Sequence, residues 1–322
     1  MTMLHRRDLL LSLAALGLAR PALAQAYPGK VIKLILPYTP GSPNDVIARM
    51  VVPQVSARLG GNVIVENRPG GGGSIGTKAV ATAEPDGYTL LFASSISHVI
   101  SVLYSSLPYD PLKDFVPVAP VTLNSWIMVA PPSLPAGSFR ELVAHSKAHP
   151  GTLNFGFGQG TAPHLVGEWV KAATGLDAAS IPYKGGAQAI NDMLGGRIHI
   201  NIGTSATLVP LINAGKIKAI TVLGIARHPA LPDTPTLTES GYPGLAAFNV
   251  MGILAPAGVP AGIVETLSRA IRDSVNSSEL RASINNVGFE PRVSTPAEYA
   301  AFLAGELRKW QPVAKDLGVR FE

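Results

Sequence analysis

Residues 71–78, GGGSIGTK, carry three overlapping signatures of chemistry. Gly71, Gly73 and Gly76 spell G-x-G-x-x-G, the spacing at which backbone closes on a dinucleotide pyrophosphate. Gly72, Ser74 and Gly76 spell G-x-S-x-G, which in hydrolases lifts a serine nucleophile onto a sharp turn. The glycine run followed by Thr77-Lys78 approaches the phosphate-binding G-x-x-x-x-G-K-[ST]. Each falls short on a physical requirement. A phosphate loop needs its lysine directly after the last glycine, and Thr77 intervenes. A dinucleotide turn follows its strand at once, with an acidic residue about 20 positions on. Here Asn67-Arg68-Pro69-Gly70 come between, and Asp86 belongs to a Pro-Asp-Gly turn. Ser74 lies well past the strand VIVEN (63–67), too far for a strained elbow. Asp and His residues follow downstream, so a secreted serine hydrolase using Ser74 stays open as an alternative. The plain reading of the glycines is a loop that brings backbone close to another segment or to a ligand. His145 and His149 have the i, i+4 spacing of a zinc pair, but Ser146 stands where a zinc protease needs Glu. Glu66 and Glu168 fall in no pattern of paired acid–base work and read as structural.

The elements around these residues set the context. Arg6-Arg7, an apolar run from Leu9 to Ala19 and Ala22-Leu23-Ala24 form the three parts of a secretory signal peptide over 1–24. The apolar run is too short to span a bilayer. HRRDLLL also resembles a twin-arginine signal, so Sec and twin-arginine export are both open. Removing 1–24 takes away Arg6, Arg7, Arg20 and Asp8 and leaves a formal charge of +3 from the +5 of the whole chain. The basic residues are scattered, without a run or aromatic interleaving, which disfavours nucleic acid and weakly favours an anionic small ligand. The chain has no cysteine, which excludes disulfides, thiolate catalysis and cysteine-bound zinc. A chain of this length can bury ~75% of its surface without such staples.

Strand and helix patterns alternate along the mature chain. KVIKLILPY (30–38) is a buried strand, followed by a helix from Asn44 or Asp45 to Leu59 with Asp45 as its N-cap and a kink at Pro53. VIVEN, a helix over 75–83 and YTLLFAS complete a first block. LNFGF, AASIPY, RIHINIG and IKAITVL, with helices over 139–149, 163–174, 187–194 and 204–214, form a second. Repeated βα units imply parallel sheets with helices on both faces. Extended passages near 121–130 and 246–255 read as crossovers between the blocks, with C-terminal helices returning to the first. The expected architecture is α/β, type II-like and two-lobed, each lobe a doubly wound, mainly parallel sheet with a hinge between. Lobe 1 comprises 25–123 plus 249–322, and lobe 2 comprises 124–248.

Several segments occur in order: PYTPGSPNDVIAR (37–49), VENRPGGGGSIG (65–76), PDGYTLL (85–91), YDPLKDFVPV (109–118), GQGTAPHLVGE (158–168), YKGGAQAINDMLGG (183–196) and LPDTPTLTESGYPG (231–244). Together they resemble the Bug family, the extracytoplasmic receptors of tripartite tricarboxylate transporters, over nearly the whole mature chain. The resemblance implies a periplasmic receptor, not an enzyme, that hands a carboxylate or similar small anion to a membrane permease of one large and one small subunit. It implies no cofactor and no metal, and a monomer is expected. A sensory receptor for a membrane kinase is a further alternative.

The candidate ligand residues follow from what an anion requires: free amides and hydroxyls at helix N-termini. In PYTPGSPND, Gly41 opens the backbone and Tyr38 and Ser42 add hydroxyls. The family's first loop usually reads Pro-Phe-x-Pro-Gly-Gly, so Tyr38 and Ser42 are departures that bear on ligand preference. Asp45 is read as capping rather than ligand-binding. In GFGQGTAPH, Gly158 and Gly160 open the backbone, with Thr161 and His164 beside them. Ser94, Ser95 and His98 follow a strand's carboxyl end, as does Tyr183, with Lys184 beside it. Thr204 and Ser205 begin a helix where relatives often carry Phe-Asp, which favours a plain carboxylate over an amino acid. Dicarboxylates, tricarboxylates and aromatic acids all remain open.

Overall fold

The structure, a computed structural model, describes residues 27–95, 107–159 and 161–316. The expected signal peptide, His98 and Gly160 lie outside the described residues.

The first block comprises β1 (Ile32–Leu36), α1 (Pro43–Leu59), β2 (Val63–Asn67), a single 3-10 turn (Gly71–Gly73), α2 (Ser74–Ala81) and β3 (Thr89–Ser94). β1 is apolar along almost its whole length because helices cover both of its faces. α1 ends on Gly60, whose φ of 62° is the left-handed cap that glycine adopts without strain. A 16-residue strand, β4 (Phe115–Ala130), then leads into the second block. This holds α3 (Phe139–Ala148), β5 (Asn154–Gly158), α4 (Ala162–Thr174), β6 (Ala179–Tyr183), α5 (Gly186–Leu194), β7 (Ile200–Thr204), α6 (Ser205–Asn213) and β8 (Lys218–Val222). The chain returns through β9 (Phe248–Pro256) and closes with α7 (Ala261–Val275), α8 (Ser278–Asn286), the two-residue β10 (Glu290–Pro291) and α9 (Pro296–Asp316).

The described strands form one hydrogen-bonded path, β2-β1-β3-β9-β4-β7-β5-β6, with β8 and β10 also on β4. Between named strands, parallel pairing falls in two blocks of three, with one isolated parallel bridge from Val222 to Thr236. β1 lies between β2 and β3, and β5 lies between β6 and β7. The long strands joining the blocks pair antiparallel, so the sheet is mixed. β4 changes partners in mid-course. It pairs with β9 up to Ser125 and with β7 and β8 from Trp126 onward. The return crossing is at Ala247, whose amide donates to Leu223 O at 2.6 Å, one residue before Phe248 pairs with Ser125. Both crossings fall inside the extended passages read from sequence.

Helices cover both faces of each half. α1, α7 and α8 bury Ile47, Val51, Leu267, Ile271 and Ile284 against β1, β3 and β9. α3 and α4 bury Phe139, Leu142, Leu165 and Val170 against β4, β5 and β7. α9 belongs to both halves: Tyr299 and Leu303 lie in a cluster with Leu91 and Leu254, whereas Trp310 lies in the core with Phe155 and Met128. Trp169 meets Trp310 edge-on at 5.1 Å, and Lys309 stands over both indoles while its amine donates to Ala246 O at the crossing. Sequence periodicity placed this helix but gave no sign that it ties the halves together. No described helix is long and apolar enough to cross a membrane.

Candidate functional site

The carboxyl ends of the two parallel blocks are where an open α/β sheet receives ligands. Five helices start there: α1 after β1, α2 after β2, α4 after β5, α5 after β6 and α6 after β7. Only α1 is capped by its own N-cap side chain. That cap is Ser42, not Asp45 as expected, because Pro43 at the first turn moves the helix start forward. Ser42 Oγ accepts from the Asp45 amide at 3.4 Å, and Asp45 Oδ2 accepts from the Gly41 amide at 3.0 Å. Burial works against the charge on Asp45, but Arg49, the Gly41 amide and Asn67 outweigh it and hold its carboxyl below the usual range. This turn is thus closed upon itself, with Gly41 at φ 79° and open space beside it.

In the second half the corresponding turn is arranged differently. Thr161 is the N-cap of α4, but its hydroxyl donates back to Gly158 O at 2.6 Å instead of accepting from the helix. Gly158 packs so closely that an added Cβ would lie 3.1 Å from Gly186 N. The β5–α4 and β6–α5 turns therefore touch each other. α5 is capped by Gly185, which has no side chain to offer, and α6 by Thr204, whose hydroxyl pairs with Thr207 Oγ1 at 3.1 Å. His164 lies flat on Phe157, ring centroids 4.0 Å apart. Burial, assisted by Lys171 and partly opposed by Glu168, holds its imidazole below its ordinary value.

The other named residues are more committed. Ser94 and Ser95 are buried, and both hydroxyls donate to Asn249 Oδ1, at 2.6 and 3.4 Å. Ser95 Oγ also accepts from the Val250 amide. Tyr38 turns its hydroxyl inward to accept from the Ser94 amide at 3.0 Å. Tyr183 donates to Asp192 at 2.7 Å, and burial, with Asp192 beside it, raises its phenol. Ser205 is buried and donates to Gly288 O, a carbonyl from the other half that also accepts from His228. Tyr38, Ser94 and Ser95 thus come together around Asn249, Gly158, Thr161 and His164 form a second group, and Thr204 and Ser205 stand at a third turn.

Sequence reading missed three asparagines. Asn249 Nδ2 donates to Asn124 Oδ1 at 3.2 Å, linking β9 to β4 one step from the crossing, and Asn201 Nδ2 donates to Gly156 O at 2.8 Å. Asn124 Nδ2 and Trp126 Nε1 are buried donors with no hydrogen-bond acceptor among the described residues. The available signal was an amide side chain inside otherwise apolar strands: VTLNSWIM, AAFNVMGIL and RIHINIG.

The glycine run resolves into structure. Gly70, Gly71, Gly72 and Gly73 all have positive φ, which explains four glycines in succession. They turn α2 against the first loop: a Cβ on Gly76 would meet Arg68 O at 2.6 Å and Pro37 Cα at 3.0 Å. Ser74 has ordinary helical dihedrals, φ −63° and ψ −32°, without the strain of a nucleophile elbow. The rings of His145 and His149 lie 4.4 Å apart and tilted by 31°, and the described residues contain no group of three or more metal-ligating side chains.

Residues 47–319 match the family model of the tripartite tricarboxylate transporter family receptor. The chain belongs to that family. It is 35% identical over 314 residues to protein BugT of Bordetella pertussis, covering 96% of each chain. Among solved structures, Rpa4515 of R. palustris with adipate is 30% identical, with a TM-score of 0.78 over 91% of this chain and 99% of that one. MatC of Rhodopseudomonas palustris with bound malate is 27% identical, with a TM-score of 0.75 over 89% and 100%. The fold is therefore the two-lobed α/β fold of periplasmic binding proteins, and the chain is a solute-binding receptor of a tripartite carrier.

Proposed function

We propose that this receptor captures a small dicarboxylate in the periplasm and presents it to the membrane subunits of its carrier, without chemistry of its own. One observation carries the reading: the helices that start at the carboxyl ends of the parallel strands, in both halves, are left uncapped by side chains at α2, α4, α5 and α6. A helix end left so carries about half a positive charge and first-turn amides that no side chain engages, which suits a carboxylate, with the Ser74, His164 and Gln188 amides turned to the Gly71, Thr161 and Gly185 carbonyls. Elsewhere Ser138 caps α3 and Ser277 caps α8 in the ordinary way, whereas α7, which starts after Pro260, has no side-chain cap. The neighbours with adipate and malate support a two-ended acid.

In this reading Ser42, Thr161, Thr204 and the amides near Gly41, Gly158 and Gly160 meet the ligand, with His164 beside them. A carboxylate oxygen or its bridging water supplies the acceptor that Asn124 Nδ2 and Trp126 Nε1 lack. Tyr38, Ser94, Ser95, Tyr183 and Ser205 position these turns from behind. The lobes, 25–123 with 249–322 and 124–248, move about the crossings of β4 and β9, and ligand favours the closed form through its contacts with both. Residues 1–24 direct export, and the receptor acts as a monomer.

A thermal-shift screen of the mature receptor against dicarboxylates of increasing length, tricarboxylates and aromatic acids tests the reading. A dicarboxylate at a hundredfold excess over Kd raises stability by ~2.7 kcal/mol. A response confined to uncharged solutes sinks the proposal, as does turnover of an acyl ester that Ser74→Ala abolishes.

A further inference from the structure

Behind the crossing strands lies a second cavity of about 320 Å³ that the dicarboxylate reading leaves unused. Leu123 of β4 and Val250 of β9, both buried, are among the residues of its wall. Phe248 and Phe302 form an aromatic side, near-parallel at 5.8 Å, and Tyr299 extends the same stack. Ile225, from the other half, borders it and is 64% exposed, the most exposed of the large apolar side chains among the described residues. It follows directly on Gly224, whose backbone is pressed against Ser125 at the point where β4 changes partners.

The rim is polar. Arg292 belongs to it, and its guanidinium makes no ion pair among the described residues. Glu298 is also at the rim, but its Oε2 accepts from the Thr295 amide at 2.8 Å and the Thr295 hydroxyl at 2.9 Å. That carboxylate caps α9 and also feels the charge of Arg292, which makes no direct ion pair with it. An apolar pocket with a few polar groups at its edge is how a small-molecule site is built, and the volume falls at the lower end of the usual ~300–1,000 Å³. The size suits one ring rather than a peptide.

We propose that this pocket is a second binding site, for an aromatic monocarboxylate on the scale of benzoate. The ring lies against Phe248, Phe302 and Ile225, and the carboxylate pairs with Arg292. The aromatic side selects a flat body, because offset stacking adds to apolar burial. The guanidinium, in no direct ion pair among the described residues, selects an anion, which it can engage through two N–H groups. The site draws on both halves and on the strand that joins them, so its occupant contacts the parts that move.

The test is fluorine NMR of 4-fluorobenzoate titrated into the mature receptor. One saturable site is expected, weakened about tenfold or more by Arg292→Gln and also weakened by Ile225→Ser. Both side chains are at the surface, and a thermal melt verifies that each variant folds. Thr161→Asp, which blocks the dicarboxylate turn, should leave fluorobenzoate binding in place. Unchanged affinity in Arg292→Gln overturns the proposal, as does loss of binding in Thr161→Asp alone, which would place the compound in the dicarboxylate cleft. Absence of saturable binding up to about 10 mM, a free energy of under ~3 kcal/mol, overturns it as well. The Arg292→Gln and Ile225→Ser results do not bear on whether dicarboxylates bind between the lobes.

Discussion

Replacing Thr161 by Asp sets stability against binding. Thr161 has φ −99° and ψ 165°, the extended conformation of an N-cap, yet its side chain gives α4 no cap. An aspartate there can accept from the His164 amide, which now donates to Thr161 O at 3.1 Å. A side-chain cap contributes about 0.5–2 kcal/mol and the helix dipole about 0.3–1 more. Against this stands the lost bond to Gly158 O, about 1 kcal/mol. The folded state should therefore be unchanged or up to about 2 kcal/mol more stable. Binding should collapse, because the new charge occupies the helix end that a ligand carboxylate would use. Two unit charges ~5 Å apart at an effective dielectric of ~20 repel by about 3 kcal/mol, a factor of a few hundred in Kd. Thr161→Ala is the control: it removes the hydroxyl without adding charge and should cost binding about tenfold at most. The assays are thermal melting and calorimetric titration with the tightest ligand of a dicarboxylate panel that includes adipate and malate. If Thr161→Asp binds as well as the parent, the β5–α4 turn is not an anion seat and the proposed function loses its main support.

Other substitutions probe the frame. Gly252→Ala should destabilise by about 1–3 kcal/mol, because its Cβ would stand 2.7 Å from Tyr299 Cζ and 2.8 Å from Ala119 O. Tyr299→Phe should by itself be neutral or stabilising by about 1 kcal/mol, since the buried hydroxyl has no partner among the described residues, and it should soften the Gly252→Ala penalty; urea unfolding of the double-mutant cycle measures both. Ser42→Ala should lower stability by about 0.5–2 kcal/mol in thermal melts by removing the cap of α1, and no loss would mean the Ser42 bond is ineffective. Burial holds His164 and His228 below the ordinary imidazole value of 6.5. The unfolded chain then binds more protons as pH falls through about 6.5, so these groups make stability rise with pH and be lost on acidification. The Tm advantage of the parent over the His164→Gln, His228→Gln variant should accordingly shrink from about pH 8 to about pH 5, and a constant gap would refute the assignment.

Much of the fold was legible because its signals are local. The run KVIKLILPY and the alternation of apolar blocks with helical periods locate β1 and its neighbours to within a residue or two, and Ser138 marks the start of α3. What could not be read depends on distant partners. Asp45 looks like a cap in sequence, and only the backbone at Pro43 gives that place to Ser42. Ser94 and Ser95 look like ligand groups at a strand end, but Asn249, about 155 positions away, engages their hydroxyls. The direction of the joining strands escapes detection because an apolar run looks alike in either direction. The glycine-rich stretch imitates catalytic signatures, but its plain reading as a loop for close backbone approach matches its glycines, which serve backbone turning and close approach to Pro37.

The C-terminal helix has a mechanical consequence. Two strands crossing side by side would leave the halves free to swing like a door, but α9 adds a strut rooted on both sides, in Tyr299 and Leu303 at one end and Trp310 at the other. Any swing must then be absorbed as bending over the roughly two turns between Leu303 and Trp310, where Gly305 interrupts the run of side chains. In the closing motion proposed above, the stiffness of that stretch would set how far the halves part and how quickly a bound solute leaves.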